Sequence, residues 1–431
     1  MSGSRPSDES VTQHKSRFGC LSSIGVAAIV LIVFAAVVFA TVMFVQARES
    51  NKASAALDPF YEVTMPIPVT PGTIIRSEPL GYSVPGGTGY RFIYTSVDAQ
   101  GKPVAVSGRV FIPTAPAPAG GRKILAYAHG TVGLAPNCAP SRESSNNDAE
   151  WLDPALQAGW VVTATDFLGL GVSGPATYLI ADQEARDVVN SVLAARQFTG
   201  SLAGKDWVVW GSSAGGHASF STATRAATLA PDLHLVGAAA AAPAAELAAI
   251  FGQQWNTAVG WAVGPYGYDS WHTNYPNLPL EPVVSDYGLR NLDSLLSRCV
   301  TEGAIVGLVQ DSLGRSFLQS DPNKNAAWST VIREQTPAPP TGLPVFLAQG
   351  TADTVVLASS NALLHNQWCE AGVHLQTLWL GGVTHQKAVL ASGPEFVQWA
   401  TERFAGKPAG SNCGLPIPAP VVPLSPVEPA K

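Results

Sequence analysis

The sequence predicts an α/β fold built on a mostly parallel central sheet, and three observations carry that prediction. Short, continuously apolar segments alternate with helical ones, an alternating hairpin precedes them, and a Gly/Ser-rich turn joins one apolar segment directly to an Ala-rich helix. Strands covered by helices on both faces read as unbroken apolar runs. In chain order, Tyr90–Tyr94 and Val104–Ile112 flank Asp98-Ala99-Gln100-Gly101 and read as an antiparallel hairpin. Ile124–Ala128 and Trp160–Thr165 are short apolar strands. Asp182–Phe198 places Val188, Val189, Val192 and Leu193 at helical spacing. Trp207–Trp210 reads as a strand, Ala214–Leu229 as the helix after it and Leu235–Ala242 as a further strand. Pro344–Ala348 and His374–Leu380 are two more strands with a helix over Ser360–Cys369 between them, and Gln386–Phe404 closes the fold as a helix.

Residues from about 243 to 341 break this rhythm. They hold Ala- and Trp-rich stretches, a Gly/Tyr/Trp/Pro region at 264–282 and two or three amphipathic helices around 286–334. An insertion here sits over the carboxyl ends of the strands, where such sheets place their sites, so it reads as a helical cap. The tail, 407–431, is rich in proline and reads as extended and peripheral.

At the other end, residues 1–18 are polar, and Leu21–Val45 carries no charged side chain. That run is long enough to cross a hydrocarbon core, and Lys15 and Arg17 before it favour a cytoplasmic N-terminus. Residues 19–46 therefore read as a transmembrane signal-anchor, with cleavage after Val45-Gln46-Ala47 as the alternative. Residues 47–57 form a linker and 58–406 the main α/β domain. The expectation is a single-pass membrane protein with this domain outside the cell, or a secreted one.

Only 13% of the 431 residues are charged against 46% apolar, the net charge is −6, and no basic stripe appears, which argues against a nucleic-acid partner. Export makes disulfides plausible for Cys138, Cys299, Cys369 and Cys413, which allow three pairings. No C-x-x-C or Cys/His cluster points to a metal, and nothing calls for a cofactor.

Gly211-Ser212-Ser213-Ala214-Gly215 fits G-x-S-x-G between a strand and a helix. A sharp turn there lifts the Ser213 hydroxyl above the sheet edge, and small neighbours let the backbone make it. A serine hydroxyl needs a base held by a carboxylate, in the chain order Ser, Asp/Glu, His when the fold is an α/β-hydrolase, which the leading hairpin and this turn together match. His385, directly after the last strand, is the expected base, and Asp353, in the turn after Pro344–Ala348, the expected acid, with Asp321 and Asp311 as weaker candidates. The expected oxyanion donors are the Ala214 backbone N–H and the Gly130/Thr131 region of the loop Tyr127-Ala128-His129-Gly130-Thr131. His129 reads as shaping that loop, His217 as packing, and Asp166–Gly171 as lining the floor of the site.

Several segments resemble the secretory lipase family typified by Candida antarctica lipase A. They are Asp58-Pro59-Phe60-Tyr61, Pro71-Gly72 with Arg76, Ala128–Pro136 leading to Cys138-Ala139-Pro140-Ser141, Asp166–Gly171, the Ser213 turn, the Asp353 turn and Thr384-His385. The likeness runs from about Asp58 to Cys413 and leaves out the membrane segment. It implies an α/β-hydrolase with a helical cap over the acyl site, a Ser213, Asp353 and His385 triad, and pairing of Cys138 with Cys299 and Cys369 with Cys413. The expected function is hydrolysis of acylglycerol or other lipid esters through an acyl-enzyme. The rivals are a carboxylesterase or acyltransferase acting on cell-envelope lipids, and a non-catalytic surface binding module on a hydrolase scaffold.

Overall fold

Strands form where both faces can be covered. They are Ile74–Pro79 (β1), Gly87–Val97 (β2), Pro103–Pro113 (β3), Arg122–Ala128 (β4), Val161–Thr165 (β5), Ala203–Ser212 (β6), His234–Ala241 (β7), Val345–Gly350 (β8) and Leu375–Leu380 (β9). The computed structural model describes residues 52, 54–145 and 149–422, and these strands lie in one compact unit, Ala53–Lys431. They make a single sheet in the order β1-β2-β3-β5-β4-β6-β7-β8-β9. Pairing is antiparallel from β1 to β3 and between β3 and β5, and parallel from β5 across β4 to β9. The chain steps one way from β4 to β5 and then back past β4 to β6. The strand order thus reverses between β4 and β6, where open α/β sheets form a crevice at their carboxyl ends.

Alternation along each strand sorts side chains onto two buried faces. Leu125, Tyr127, Val208, Trp210, Phe346 and Ala348 meet Leu152, Phe396 and Trp399 from the helices Ala149–Gln157 and His385–Phe404. Ile124, Ala126, Trp207, Val209, Val345 and Leu347 meet Val188, Phe220 and Trp368 from Ala181–Ala195, Ala214–Ala223 and Ala358–Glu370. Trp210 stacks on Phe396 with ring centroids 4.2 Å apart, fixing the last helix against the strand that ends at Ser212.

Four elements differ from the sequence reading. β1 is a half-buried edge strand without a clean alternation. Helix Ala149–Gln157 carries Pro154 in its interior, which hides it from a helical pattern. β6 begins at Ala203 rather than Trp207, because its first residues run at the sheet's end, where Lys123 Nζ meets Asp206 at 2.6 Å. The helix expected over 214–229 breaks into Ala214–Ala223 and Ala226–Leu229. At the break Thr222 and Thr224 hydroxyls donate back to the Ala218 and Ser221 carbonyls, offering the chain an alternative to helical bonding.

Residues 243–341 hold six α-helices, Leu247–Gln254, Ala258–Ala262, Gly264–Asn274, Asp286–Leu296, Val300–Ser312 and Ala326–Gln335, and a short 3-10 turn, Pro322–Lys324. They enclose a core of their own around Trp261, Tyr268, Trp271, Phe317 and Trp328, which extends to Leu179 before helix Ala181–Ala195 and to Ala214 at the start of helix Ala214–Ala223. The three buried indole N–H groups donate to carbonyls: Trp261 to Arg315, Trp271 to Leu179 and Trp328 to Pro279, at 2.7–3.1 Å. The Cys138–Cys299 disulfide ties the loop after β4 to the start of helix Val300–Ser312, and Cys369–Cys413 ties helix Ala358–Glu370 to the tail. Among the described residues no helix is long and apolar enough to cross a membrane. The expected span Leu21–Val45 lies outside the described residues.

Candidate active site

Ser213 stands between the end of β6 and the start of helix Ala214–Ala223 with φ 55° and ψ −119°. A non-glycine residue in this region costs on the order of 1–3 kcal/mol and persists only where its surroundings fix it. Here its N–H donates to the Ala241 carbonyl at 3.0 Å, and its own carbonyl accepts from Gly216 and Ala244, both at 2.9 Å. Gly215 makes the turn possible, since a Cβ there would lie 2.0 Å from the Ala128 carbonyl oxygen. The missing side chain lets the elbow sit directly on the end of β4, bringing the 129–131 loop beside Ser213.

Asp353 and His385 come together through the two loops that follow β8 and β9. A Cβ on Gly350 would lie 2.2 Å from the Val383 carbonyl oxygen, so a glycine is required for the loops to touch. Thr351 N–H donates to Leu380 and Ala352 N–H to Val383, and Thr351 Oγ1 accepts from Gly382 N–H at 2.9 Å. His385 opens the last helix, and its Nδ1–H donates to Asp353 Oδ2 at 2.7 Å. The other carboxylate oxygen accepts the N–H groups of Val355 and Val356 at 2.9 and 3.0 Å. Gln349 reaches the same carboxylate and is itself held by Asn361. The Asp353 side chain is fully buried, while His385 keeps an exposed edge. A buried, hydrogen-bonded carboxylate on Nδ1 leaves Nε2 as the atom free to exchange a proton.

Ser213 and His385 line one cavity of about 290 Å³ beneath the cap. Its walls are mainly apolar: Ala241, Val259, Ala262, Val263, Val300, Ala304 and Val389, with Gly130 and Thr131 along one side. No hydrogen bond joins Ser213 Oγ to His385 among the described residues. Such contacts are commonly long in ligand-free enzymes and tighten on binding. Among the described hydrogen bonds, the backbone N–H groups of Ala214 and Thr131 have no acceptor. Ala214 opens its helix, whose N-terminal donors favour negative charge. Thr131 Oγ1 and Tyr178 OH lie 2.6 Å apart.

The remaining candidates lie elsewhere. Asp321 accepts from the N–H of Asn323, and Asp311 is exposed on helix Val300–Ser312. His217 is buried, with Nδ1 2.6 Å from Glu184 and Nε2 donating to the Gln335 carbonyl at 2.7 Å, so it joins the elbow helix to the last cap helix. Asp166 takes the hydroxyls of Ser107 and Ser141 and the Ser141 N–H, while Phe167 to Leu170 line a small recess together with His129, Gly130, Thr131 and Ala214. Among the described residues, His365, Cys369 and Cys413 could together hold a metal ion, but both sulfurs are spent in a disulfide. Tyr178, Gln349 and Asn361 escape a reading of the sequence because their partners lie 12 to 47 residues away or are reached only through a loop turn.

A model of the family described as secretory lipase matches residues 143–412. A Mycobacterium tuberculosis protein named "Probable inactive lipase" is 24% identical over 78% of this chain and 79% of its own length. Lipase 1 of Candida albicans is 23% identical over 75% of this chain and 73% of its own. The crystal structure of Candida antarctica lipase A superposes with a TM-score of 0.68 at 20% identity, covering 84% of this chain and 89% of that one, which is a likeness of fold. With more than half of its length matched by the family model, the chain belongs to the secretory lipase family and is an ester hydrolase.

Proposed function

We propose that this protein hydrolyses lipid esters through an acyl-enzyme on Ser213, and the observation that carries the reading is the Asp353–His385 hydrogen bond opening onto the cavity that Ser213 shares. His385 Nε2 takes the Ser213 proton as Oγ attacks the acyl carbonyl. Asp353 holds the imidazole in the required tautomer and stabilises the imidazolium. The Ala214 and Thr131 N–H groups, with Gly130 leaving room beside them, receive the oxyanion. His385 then returns the proton to the departing alcohol, and water, activated the same way, frees the acid. The apolar walls and volume of the cavity, near the low end of about 300–1,000 Å³ for ligand sites, favour an acyl chain over a charged group. Acylglycerols are the substrate class this suits. Two disulfides support work outside the cytosol, whether the segment Leu21–Val45 anchors the domain or is removed.

The test is product analysis on acyl esters of increasing chain length, with and without an added alcohol acceptor. Release of free acid as the main product, lost roughly 10⁴- to 10⁶-fold in Ser213→Ala, is the expected result. Predominant transfer to the alcohol would make the protein an acyltransferase, and no turnover of any ester would leave a binding scaffold.

A further inference from the structure

His129 directly precedes Gly130, which lines the Ser213 cavity, and the reaction above does not use it. Both of its ring nitrogens face carbonyl oxygens: Nδ1 lies 2.7 Å from Gly130 O and Nε2 3.2 Å from Asp166 O. A carbonyl can only accept, so the shorter contact makes Nδ1 the donor. The ring is also held edge-on against Phe167, with centroids 5.1 Å apart. Phe167 itself has a positive φ of 70°, and its N–H donates to Thr165 Oγ1 at 3.1 Å. The imidazole is therefore held by the Gly130 carbonyl of its own loop and packed against Phe167 of the loop after β5.

The consequence lies in the peptide between Gly130 and Thr131. In a trans peptide the C=O and the next N–H point in opposite directions. Drawing the Gly130 oxygen onto His129 turns the Thr131 N–H away from the ring, and that N–H has no acceptor among the described hydrogen bonds. Gly130 sits against Ser213: a Cβ on it would lie 3.4 Å from Ser213 Cβ. The Thr131 hydroxyl on Tyr178 and the Val132 carbonyl on Val300 N–H anchor the chain just beyond this peptide, whereas the Nδ1 bond holds the Gly130 carbonyl itself. Without it the peptide could turn and present its carbonyl oxygen, which would repel a developing oxyanion.

We infer that His129 is a positioning residue that sets the orientation of the Gly130–Thr131 peptide, so that an N–H rather than a carbonyl faces the oxyanion formed at Ser213. The inference rests on the triad proposed above. Its effect belongs to the transition state, because a ground-state ester carbonyl gains far less from the donor than the tetrahedral oxyanion does.

The test compares His129→Phe and His129→Ala, which remove the donor, with His129→Asn, whose Nδ2 occupies the place of Nδ1. On a soluble short-chain ester, either donor-less variant that folds is expected to lose kcat by roughly 100-fold or more while KM moves less than about threefold. His129→Asn should regain most of the loss. A tetrahedral boronic acid inhibitor should weaken in parallel with kcat/KM. Unchanged kcat in a folded donor-less variant would overturn the inference, and so would a loss expressed in KM or one that Asn does not rescue. Ser213→Ala separates the two levels. Turnover that survives it would sink the reading of the site and His129's role together, whereas turnover that needs Ser213 but ignores His129 would sink only this inference.

Discussion

At the scale of single residues, burial and pairing decide which groups can work. Asp353 is fully enclosed, and both its carboxylate oxygens accept hydrogen bonds from His385, Val355 and Val356. Glu246 is the contrasting case. It is 5% exposed, precedes helix Leu247–Gln254, and burial pushes its carboxyl up to about 7. Between about pH 4.5 and 7 the native protein keeps a proton that the unfolded chain has lost. Stability is thus full below about 4.5 and falls as pH rises through 7. Glu246→Gln removes that dependence. Its advantage over wild type in urea unfolding should grow by on the order of 2–3 kcal/mol from pH 5 to pH 8. A difference that stays flat across that range would show that Glu246 is ionised in the native state. Ser213, Asp353 and His385 were legible as candidates because a G-x-S-x-G turn marks the first and each follows a strand. His217 could only be guessed, since its partners Glu184 and Gln335 lie 33 and 118 residues away.

At the scale of elements, the parallel strands were the legible part. β4, β5 and β8 have nearly every side chain buried, and β7 is buried from Gly237 to Ala241, which is why they stand out as apolar runs. The cap was legible as an interruption and not as a shape. Helix Val300–Ser312 shows why: Val300 and Ala304 line the cavity, yet Ile305, Leu308 and Val309 are exposed, so apolar residues do not mark its inner face alone. The inner face has a functional consequence. Ala304→Phe places a ring where an acyl chain would run. Activity on long-chain esters should fall roughly 10-fold or more while the shortest esters are spared, because one or two methylenes in an apolar pocket are worth 10- to 200-fold. Equal loss across all chain lengths would mean that the chain leaves the cavity by another wall.

At the scale of the whole molecule, one sheet carries every group of the proposed site at its carboxyl edge. Ser213 and the 129–131 loop come from the point where strand order reverses, and Asp353 and His385 from the two strands at one end. The cap, joined to that edge by Cys138–Cys299 and by the His217–Gln335 hydrogen bond, closes an uncharged space above it. The proposed mechanism asks for few charges in a chain with only 13% charged residues: a buried Asp353 carboxylate paired with His385. The kinship with a protein named as an inactive lipase makes covalent reactivity the decisive property. The most direct measurement is labelling of the folded protein by a fluorophosphonate, with the modified peptide located by mass spectrometry. A single adduct on Ser213, absent in Ser213→Ala and greatly slowed in His385→Ala, is the expected result. Equal labelling of wild type and Ser213→Ala, or an adduct elsewhere on the chain, would contradict the account.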